Sequence, residues 1–179
     1  LGKDDPEMAA VVLDSLRDEG IEIAEDALAK EIRGEAGAIE VETTDGRVFS
    51  GTHLLMAVGR KANIDKLNLK AAGIETTRSG IKVDDSLKTA NKRVYAIGDA
   101  AGGLQFTHVA GYHAGIVIRS ALFGLPAKAK TAHIPWATYT QPELAQVGLT
   151  EAQAREAHGD KLEVVRFQFH HNDRLIAER

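Results

Sequence analysis

The chain has 179 residues, of which 44% are hydrophobic and 27% charged, with a net charge of -4 and no cysteine. This composition is typical of one globular domain or two small ones, and the acidic balance argues against a nucleic-acid partner, which would require a basic face. No apolar run approaches the roughly 18 residues of a membrane span, so we expect no membrane partner, and the absence of cysteine excludes disulfides and thiolate metal sites from this chain.

The first third of the sequence predicts a helix followed by a β-meander. Asp5-Pro6-Glu7 supplies an N-cap, a proline for the first helical position and a first-turn acid. Apolar residues then recur at helical spacing, and Gly20 is the predicted end of the helix. Residues 21–23 are predicted as a strand. The alternating pattern of residues 27–49, with a turn at Asp45-Gly46, predicts a three-stranded meander.

Two short apolar runs in the middle of the chain predict buried strands. Residues 54–58 (LLMAV) form a continuous apolar run, as expected for a central strand that is covered on both faces. Residues 94–97 (VYAI) form the second. The polar segment 59–91 between them is predicted to be irregular, with a short strand near 81–83, and to lead from one domain to the next.

Gly98 and Asp99 directly follow the second run, and a helix is predicted over residues 107–123. A carboxylate at the carboxyl end of a strand, facing a helix N-terminus, is how an α/β protein holds a polyhydroxylated cofactor. Gly98 would leave room for close approach of that cofactor. A bare Gly-Asp pair is also an ordinary turn, so the pair alone leaves both interpretations open.

The predicted helix carries a stripe of apolar residues: Val109, Ile116, Val117 and Leu122. Gly111 and Gly115 lie on one side of it, where small residues would let a neighbouring element approach closely. Gly124-Leu125-Pro126 is a strong stop signal.

The last part of the chain predicts a mixed α+β segment. Strands are expected at residues 136–139, near 145–147 and at 162–169. Thr150-x-x-Gln153 has the spacing of a capping box, which predicts a helix from Thr150 to about His158.

Four segments, in order, resemble the pyridine nucleotide-disulfide oxidoreductases. VYAIGDAAGG (94–103) with the following QFTHVA (105–110) is similar to the family's second FAD-binding motif. LLMAVGR (54–60) is similar to the strand that ends its nicotinamide-nucleotide domain. IPWATYTQPELAQVG (134–148) and residues 169–174 resemble its dimerisation domain. Phe106 to Ala110 and Asn172-Asp173-Arg174 point to the branch that contains dihydrolipoamide dehydrogenase and mercuric reductase.

The resemblance implies an α/β fold, with partial FAD/NAD(P)-binding Rossmann-like domains, a β-meander, and then the start of an α+β dimerisation domain. The implied domains are residues 1–90 for the remainder of the NAD(P)-binding domain and its linker, 91–130 for the FAD-binding segment, and 131–179 for the dimerisation domain. The first FAD-binding motif, any G-x-G-x-x-G turn and the redox cysteine pair are absent from the sequence. We therefore expect an internal piece of a longer cytoplasmic flavoenzyme, inactive as a disulfide reductase by itself.

The resemblance also implies which residues bind FAD. Asp99, with Gly98 beside it, would accept hydrogen bonds from the ribityl hydroxyls, and charge-assisted bonds of this kind are strong. Gln105, Phe106, Thr107 and His108 would pass the flavin ring. The Thr107 backbone N–H would donate to the flavin C2 carbonyl. Thr107 can alternatively be a plain N-cap, and the two roles are compatible.

Gly59 follows the run at 54–58 and would contact NAD(P), or form only a turn. Arg60 could face the cofactors as well, or be a solvated surface residue. Among the seven histidines, no spacing predicts a metal site; His108 is a flavin neighbour or a core residue, and His170 and His171 would point to opposite faces of a strand.

The resemblance implies a parent enzyme that passes electrons between NAD(P)H, FAD and a redox disulfide, with a thiol, disulfide or metal ion as substrate. That enzyme would be a homodimer paired through its C-terminal domain. Two alternatives stay open from the sequence: a stand-alone dimerisation or binding module without catalysis, and a flavoenzyme without the disulfide, such as a transhydrogenase.

Overall fold

The computed structural model describes residues 1–177, and the chain divides into two compact units. The first unit combines Leu1–Ser15 with the segment from Ala132 onward, and the second comprises Leu16–Thr131. Helix α1 (Pro6–Asp18) runs through the boundary in sequence. No helix among residues 1–177 is long and apolar enough to cross a membrane.

Helix α1 begins and ends as the sequence predicts. An oxygen of the Asp5 carboxylate accepts the Glu7 N–H at 3.0 Å, which caps the first turn. At the other end the Gly20 N–H donates to Arg17 O and the Ile21 N–H to Leu16 O, the bonding pattern of a Schellman motif. The predicted strand at 21–23 is therefore wrong, because Ile21 belongs to the helix terminus.

The predicted meander is confirmed. Strands β1 (Ala29–Glu35), β2 (Ala38–Thr43) and β3 (Val48–Gly51) form one antiparallel sheet in that order. Hydrogen bonds from the Arg47 guanidinium, and secondarily from the Thr43 hydroxyl, hold the pKa of Asp45 well below its usual value in the β2–β3 turn. Asp45-Gly46 predicted this turn correctly because the turn is formed by residues that are close in sequence.

The two predicted buried strands are not formed. In the run 54–58, Leu55 and Val58 are each 88% exposed, and residues 94–97 make only an isolated bridge between Lys88 and Tyr95. A central strand needs neighbours on both sides to pair its backbone groups. Both sheets among residues 1–177 are antiparallel and pair strands that follow each other in sequence, so no neighbour is provided for either run.

The segment 59–91 was predicted as an irregular connection, but it contributes a small core. Ile74, Ile81 and Ala96 are buried together. The predicted strand near 81–83 is reduced to a single bridge between Thr76 and Ile81, while the Ile81 N–H donates to Ala100 O at 2.8 Å. This core thus joins the segment directly to the residues that follow Gly98.

Helix α2 (Thr107–Ala121) ends two residues before the predicted end at Phe123. Its buried residues are Val109, His113 and Ile116. Leu122, which we assigned to the apolar stripe, lies beyond the helix and is 75% exposed. A Cβ at Gly111 or Gly115 would meet nothing within 4 Å in the described part of the chain, so the expected close packing at these glycines is wrong.

The first unit contains the short strands β4 (Trp136–Thr138) and β5 (Leu144–Gln146), paired antiparallel, and helices α3 (Glu151–His158) and α4 (Asp173–Ala177). The predicted capping box is confirmed: the Gln153 N–H donates to the Thr150 hydroxyl at 3.3 Å, and the Thr150 N–H donates to the Gln153 side chain at 3.0 Å. The predicted strand at 162–169 is wrong, since that segment pairs with no strand among residues 1–177.

Long-range polar contacts hold the first unit together. The Arg166 guanidinium donates to both carboxylate oxygens of Glu7, at 2.6 to 3.0 Å, and lies 3.3 Å from a Glu151 oxygen. Hydrogen bonding to Arg166 lowers the pKa of Glu7. The Asp5 carboxylate accepts the Glu151 N–H, and the Trp136 indole donates to Asp4. Residues at the start of the chain thus contact residues more than a hundred positions later.

Candidate functional site

The candidate site is built around a one-turn 3₁₀ helix, Gly98–Ala101, which we call the Asp99 turn. The residue before this turn, Ile97, has an extended backbone, but it is not part of a strand as predicted for residues 94–97. The Asp99 side chain is exposed. Its backbone carbonyl accepts the Gly102 N–H at 3.1 Å, and no side chain among residues 1–177 hydrogen-bonds or ion-pairs with its carboxylate. The carboxylate is therefore available to a ligand.

Two contacts fix the Asp99 turn against α2. The Gly98 N–H donates to the His113 Nδ1 at 3.1 Å. Gly98 has φ of 57°, and a Cβ there would lie 2.7 Å from the Ala110 Cβ. Only glycine meets both requirements without strain, because a side chain would clash and the left-handed conformation disfavours one. The turn that carries Asp99 is thus packed directly on the helix.

The start of α2 is open to a ligand. Phe106 is the N-cap residue, has an extended backbone and makes no side-chain cap hydrogen bond. Thr107 is the first helical residue, so its interpretation as the N-cap is wrong. The first N–H groups of a helix lack intrahelical acceptors, and the helix dipole adds roughly half a positive charge there. This end of α2 therefore favours an electron-rich group.

The other predicted flavin residues lie at the same helix start. The Phe106 and His108 rings stack, with centroids 5.4 Å apart and planes inclined by 10°. Gln105 is partly buried, and its backbone carbonyl accepts a hydrogen bond from the Arg60 Nη1 at 3.0 Å. His108 is exposed, so of its two predicted roles the core residue is wrong.

The predicted nicotinamide residue Gly59 is exposed, with φ of 126°. Its neighbour Arg60 makes the hydrogen bond to Gln105, so the structure joins the segment predicted to contact NAD(P) to the segment predicted to contact the flavin. A surface depression of about 430 Å³ lies at this junction. It is lined by Arg60, Lys61, Arg78, Ser79, Gly103 and Gln105.

Sequence reasoning missed His113. Val109, His113 and Ile116 recur at spacings of four and three, so His113 occupies the buried face of α2. A histidine within an apolar stripe was the available signal. Burial lowers the pKa of the His113 imidazole, because desolvation disfavours the charged form.

The remaining histidines form no metal centre in the described part of the chain, where no group of three or more histidines and carboxylates could hold an ion. His170 and His171 lie in a 3₁₀ turn, Phe169–His171, with ring centroids 4.0 Å apart. The expectation that they point to opposite faces of a strand is therefore wrong, since no strand is formed.

Comparison with known proteins identifies the family of the chain. Residues 1–114 match the family model of the pyridine nucleotide-disulphide oxidoreductases, and residues 134–179 match the dimerisation domain of the same family. The chain is similar to the mercuric reductase of Bacillus cereus, with 39% identity over 156 residues that cover 85% of this chain and 25% of that protein. It is also similar to a dihydrolipoyl dehydrogenase of Bacillus subtilis, with 32% identity, covering 98% of this chain and 38% of that protein.

Two solved structures have a fold similar to that of the chain. LpdA from Mycobacterium tuberculosis matches with a TM-score of 0.85 at 26% identity, covering 98% of this chain and 38% of that one. The Cu(II) complex of RclA, an HOCl-induced flavoprotein disulfide reductase from Escherichia coli, matches with a TM-score of 0.79 at 30% identity, covering 89% of this chain and 37% of that one.

The chain thus spans between 25% and 38% of the length of these relatives. It contains part of a pyridine nucleotide oxidoreductase domain together with a dimerisation domain. The chain belongs to the pyridine nucleotide-disulphide oxidoreductase family.

Proposed function

We propose that this chain supplies the ribityl and flavin-ring side of an FAD site in a flavoprotein disulfide reductase. The observation that carries the proposal is the attachment of the Asp99 turn to α2, which presents an exposed carboxylate and an uncapped helix start from one packed unit. The similarity to mercuric reductase and dihydrolipoyl dehydrogenase supports it.

The donor and acceptor chemistry of these residues fits FAD. The Asp99 carboxylate offers only acceptors, and the ribityl chain offers hydroxyl donors. Gly98, without a side chain, lets the backbone beside Asp99 pack against Ala110 of α2. The backbone N–H of Thr107 is a donor, suited to the electron-rich edge of the flavin ring. Phe106 and Gln105 complete this side of the site.

When bound, FAD supplies the transfer of hydride and electrons, which is chemistry that amino-acid side chains do not provide. The chain's own contribution is to bind and orient. An N–H donor at the start of α2 would stabilise negative charge on the ring as the charge develops, at no cost of reorganisation. The Asp99 carboxylate would fix the position of the ribityl chain.

The proposed enzyme passes electrons between NAD(P)H, FAD and a redox disulfide, with a thiol, a disulfide or a metal ion as substrate. Gly59 would contact the nicotinamide nucleotide, and Arg60 would link that contact to Gln105. We propose domains at residues 1–90, 91–130 and 131–179, the first two belonging to Rossmann-like NAD(P)- and FAD-binding folds. This chain has no cysteine, so we propose that it performs no disulfide exchange itself.

A flavin titration of the chain tests the proposal. Riboflavin and FAD should both bind, detected by quenching of flavin fluorescence, and ADP should not compete, because the residues named above match the ribityl and ring end. Asp99→Asn should weaken binding by about tenfold or more, the effect of losing a hydrogen bond to a charged group. The control is Asp160→Asn, an exposed carboxylate in the other unit, which should bind as the wild type.

Two results would overturn the flavin site. Equal flavin affinity of Asp99→Asn and the wild type would remove the role of the carboxylate. A chain that binds no flavin would instead favour the alternative of a colourless binding or dimerisation module.

A second function is favoured by a separate observation, the match of residues 134–179 to the dimerisation domain. We propose that this segment pairs two copies of the chain. Val165, Phe167 and Phe169 are 81%, 74% and 71% exposed. Such a concentration of exposed apolar side chains is typical of a surface that is covered by a partner.

A further inference from the structure

His113 is the only histidine that is buried among residues 1–177. Its ring lies on the inner face of α2, next to the first turns of the helix, and its polar contact reaches 15 positions back in the sequence to Gly98.

The hydrogen bond determines the protonation state of the ring. A backbone N–H can only donate, so the Nδ1 that lies 3.1 Å from the Gly98 nitrogen must accept. An accepting Nδ1 carries no proton, and a neutral imidazole then carries its proton on Nε2. Burial acts in the same direction, because it lowers the pKa of His113 and keeps the ring neutral.

We propose that His113 is a positioning residue for flavin binding, whose unprotonated Nδ1 holds the Gly98 N–H and thereby fixes the Asp99 turn on α2. The proposal rests on the proposed flavin site. In this proposal the His113 imidazole holds two groups at a fixed position relative to each other: the Asp99 carboxylate, which would bind the ribityl chain, and the start of α2, which would bind the flavin ring.

The packing explains why a hydrogen bond is needed at this point. Gly98 has no side chain, so it contributes little apolar contact that could retain the turn, and its φ of 57° is readily exchanged for other conformations when unrestrained. The contact with Ala110 sets how close the turn comes to α2. The bond to His113 sets its orientation, and Asp99 is the next residue along the chain.

Two substitutions separate hydrogen bonding from packing. His113→Asn keeps an acceptor oxygen at the place of Nδ1. Asparagine is smaller than histidine, and it is a poorer helix former than leucine. His113→Leu fills the buried site with an apolar side chain and is a better helix former, but offers no acceptor. If packing or helix stability were what holds the Asp99 turn in place, His113→Leu would protect the Gly98 N–H and bind riboflavin better than His113→Asn. The matched control is Tyr112→Phe, which loses the hydrogen bond from the Lys130 N–H and leaves His113 intact.

The first measurement uses the full chain without flavin. Amide hydrogen exchange followed by NMR should show a protected Gly98 N–H in the wild type, His113→Asn and Tyr112→Phe, and exchange faster by about fivefold or more in His113→Leu. The ¹⁵N resonance of the wild-type His113 Nδ1 should be that of an unprotonated ring nitrogen. A protonated Nδ1, or loss of Gly98 protection in a folded His113→Asn, would overturn the proposal even if His113→Leu does not fold.

The second measurement is riboflavin affinity. His113→Leu should bind riboflavin about fivefold more weakly or worse, with His113→Asn and Tyr112→Phe within twofold of the wild type, and equal binding by His113→Leu would overturn the positioning role. If the wild-type chain bound no flavin while Gly98 stayed protected, the proposed function would fail, and the hold of His113 on the Asp99 turn would still be confirmed.

Discussion

At the scale of single residues, the candidate site depends on the absence of a side chain at Gly98 as much as on the carboxylate of Asp99. Gly98 meets Ala110 where a methyl group would not fit, and it adopts a backbone conformation that other residues avoid. The sequence pointed to this pair through its position before a helix. It could not show that the turn is tied to His113, because that bond joins residues on different elements.

Gly98→Ala should destabilise the chain through two separable effects. The left-handed φ costs about 1–2 kcal/mol for a residue with a Cβ, and the 2.7 Å approach to Ala110 adds overpacking of about 1–3 kcal/mol. We therefore expect the free energy of unfolding, measured by urea titration, to fall by about 2–5 kcal/mol.

Gly103→Ala is the control for that measurement. Gly103 also has a positive φ, 74°, but a Cβ there would meet nothing within 4 Å. It should therefore show the backbone cost alone. Equal losses for the two variants would mean that the contact between Gly98 and Ala110 contributes nothing to stability.

At the scale of elements, the sequence predicted what is decided locally. The ends of α1, the hairpin turn at Asp45-Gly46 and the capping box at Thr150 all depend on residues within a few positions of each other, and all three are present. The strands at 54–58 and 162–169 were wrong because a strand is stabilised by partners that its own sequence does not specify. The apolar pattern of these two segments indicates that another element covers them, but it does not identify that element.

The capping box allows a direct test at this scale. Thr150→Ala removes the hydroxyl that accepts the Gln153 N–H at the start of α3, so the free energy of unfolding should fall by about 1 kcal/mol. Thr150→Ser keeps the oxygen and should cost only a few tenths of that, about 0.3 kcal/mol or less. An alanine variant as stable as the serine variant would show that the box does not stabilise the helix. Chemical denaturation followed by circular dichroism provides the measurement.

At the scale of the whole molecule, each unit carries one part of the proposed function. The unit that comprises Leu16–Thr131 holds the Asp99 turn and the start of α2. The other unit carries the segment that matches the dimerisation domain. Large apolar side chains are exposed in both, including Leu55 in one and Phe167 in the other, so the exposed apolar surface alone does not identify where two copies would meet.

A pair of charge substitutions decides between these surfaces. If two copies pair through the matched segment, Phe167→Asp should convert a dimer to a monomer in sedimentation velocity experiments. Burying a phenylalanine contributes about 1.5–3 kcal/mol, and a two-fold interface contains it twice, so the dissociation constant should rise by about a hundredfold or more. Leu55→Asp, which changes a residue that is more exposed than Phe167, should leave the dimer intact. The reverse result, with Leu55→Asp monomeric and Phe167→Asp dimeric, would place the association in the unit that comprises Leu16–Thr131 and refute pairing through residues 134–179.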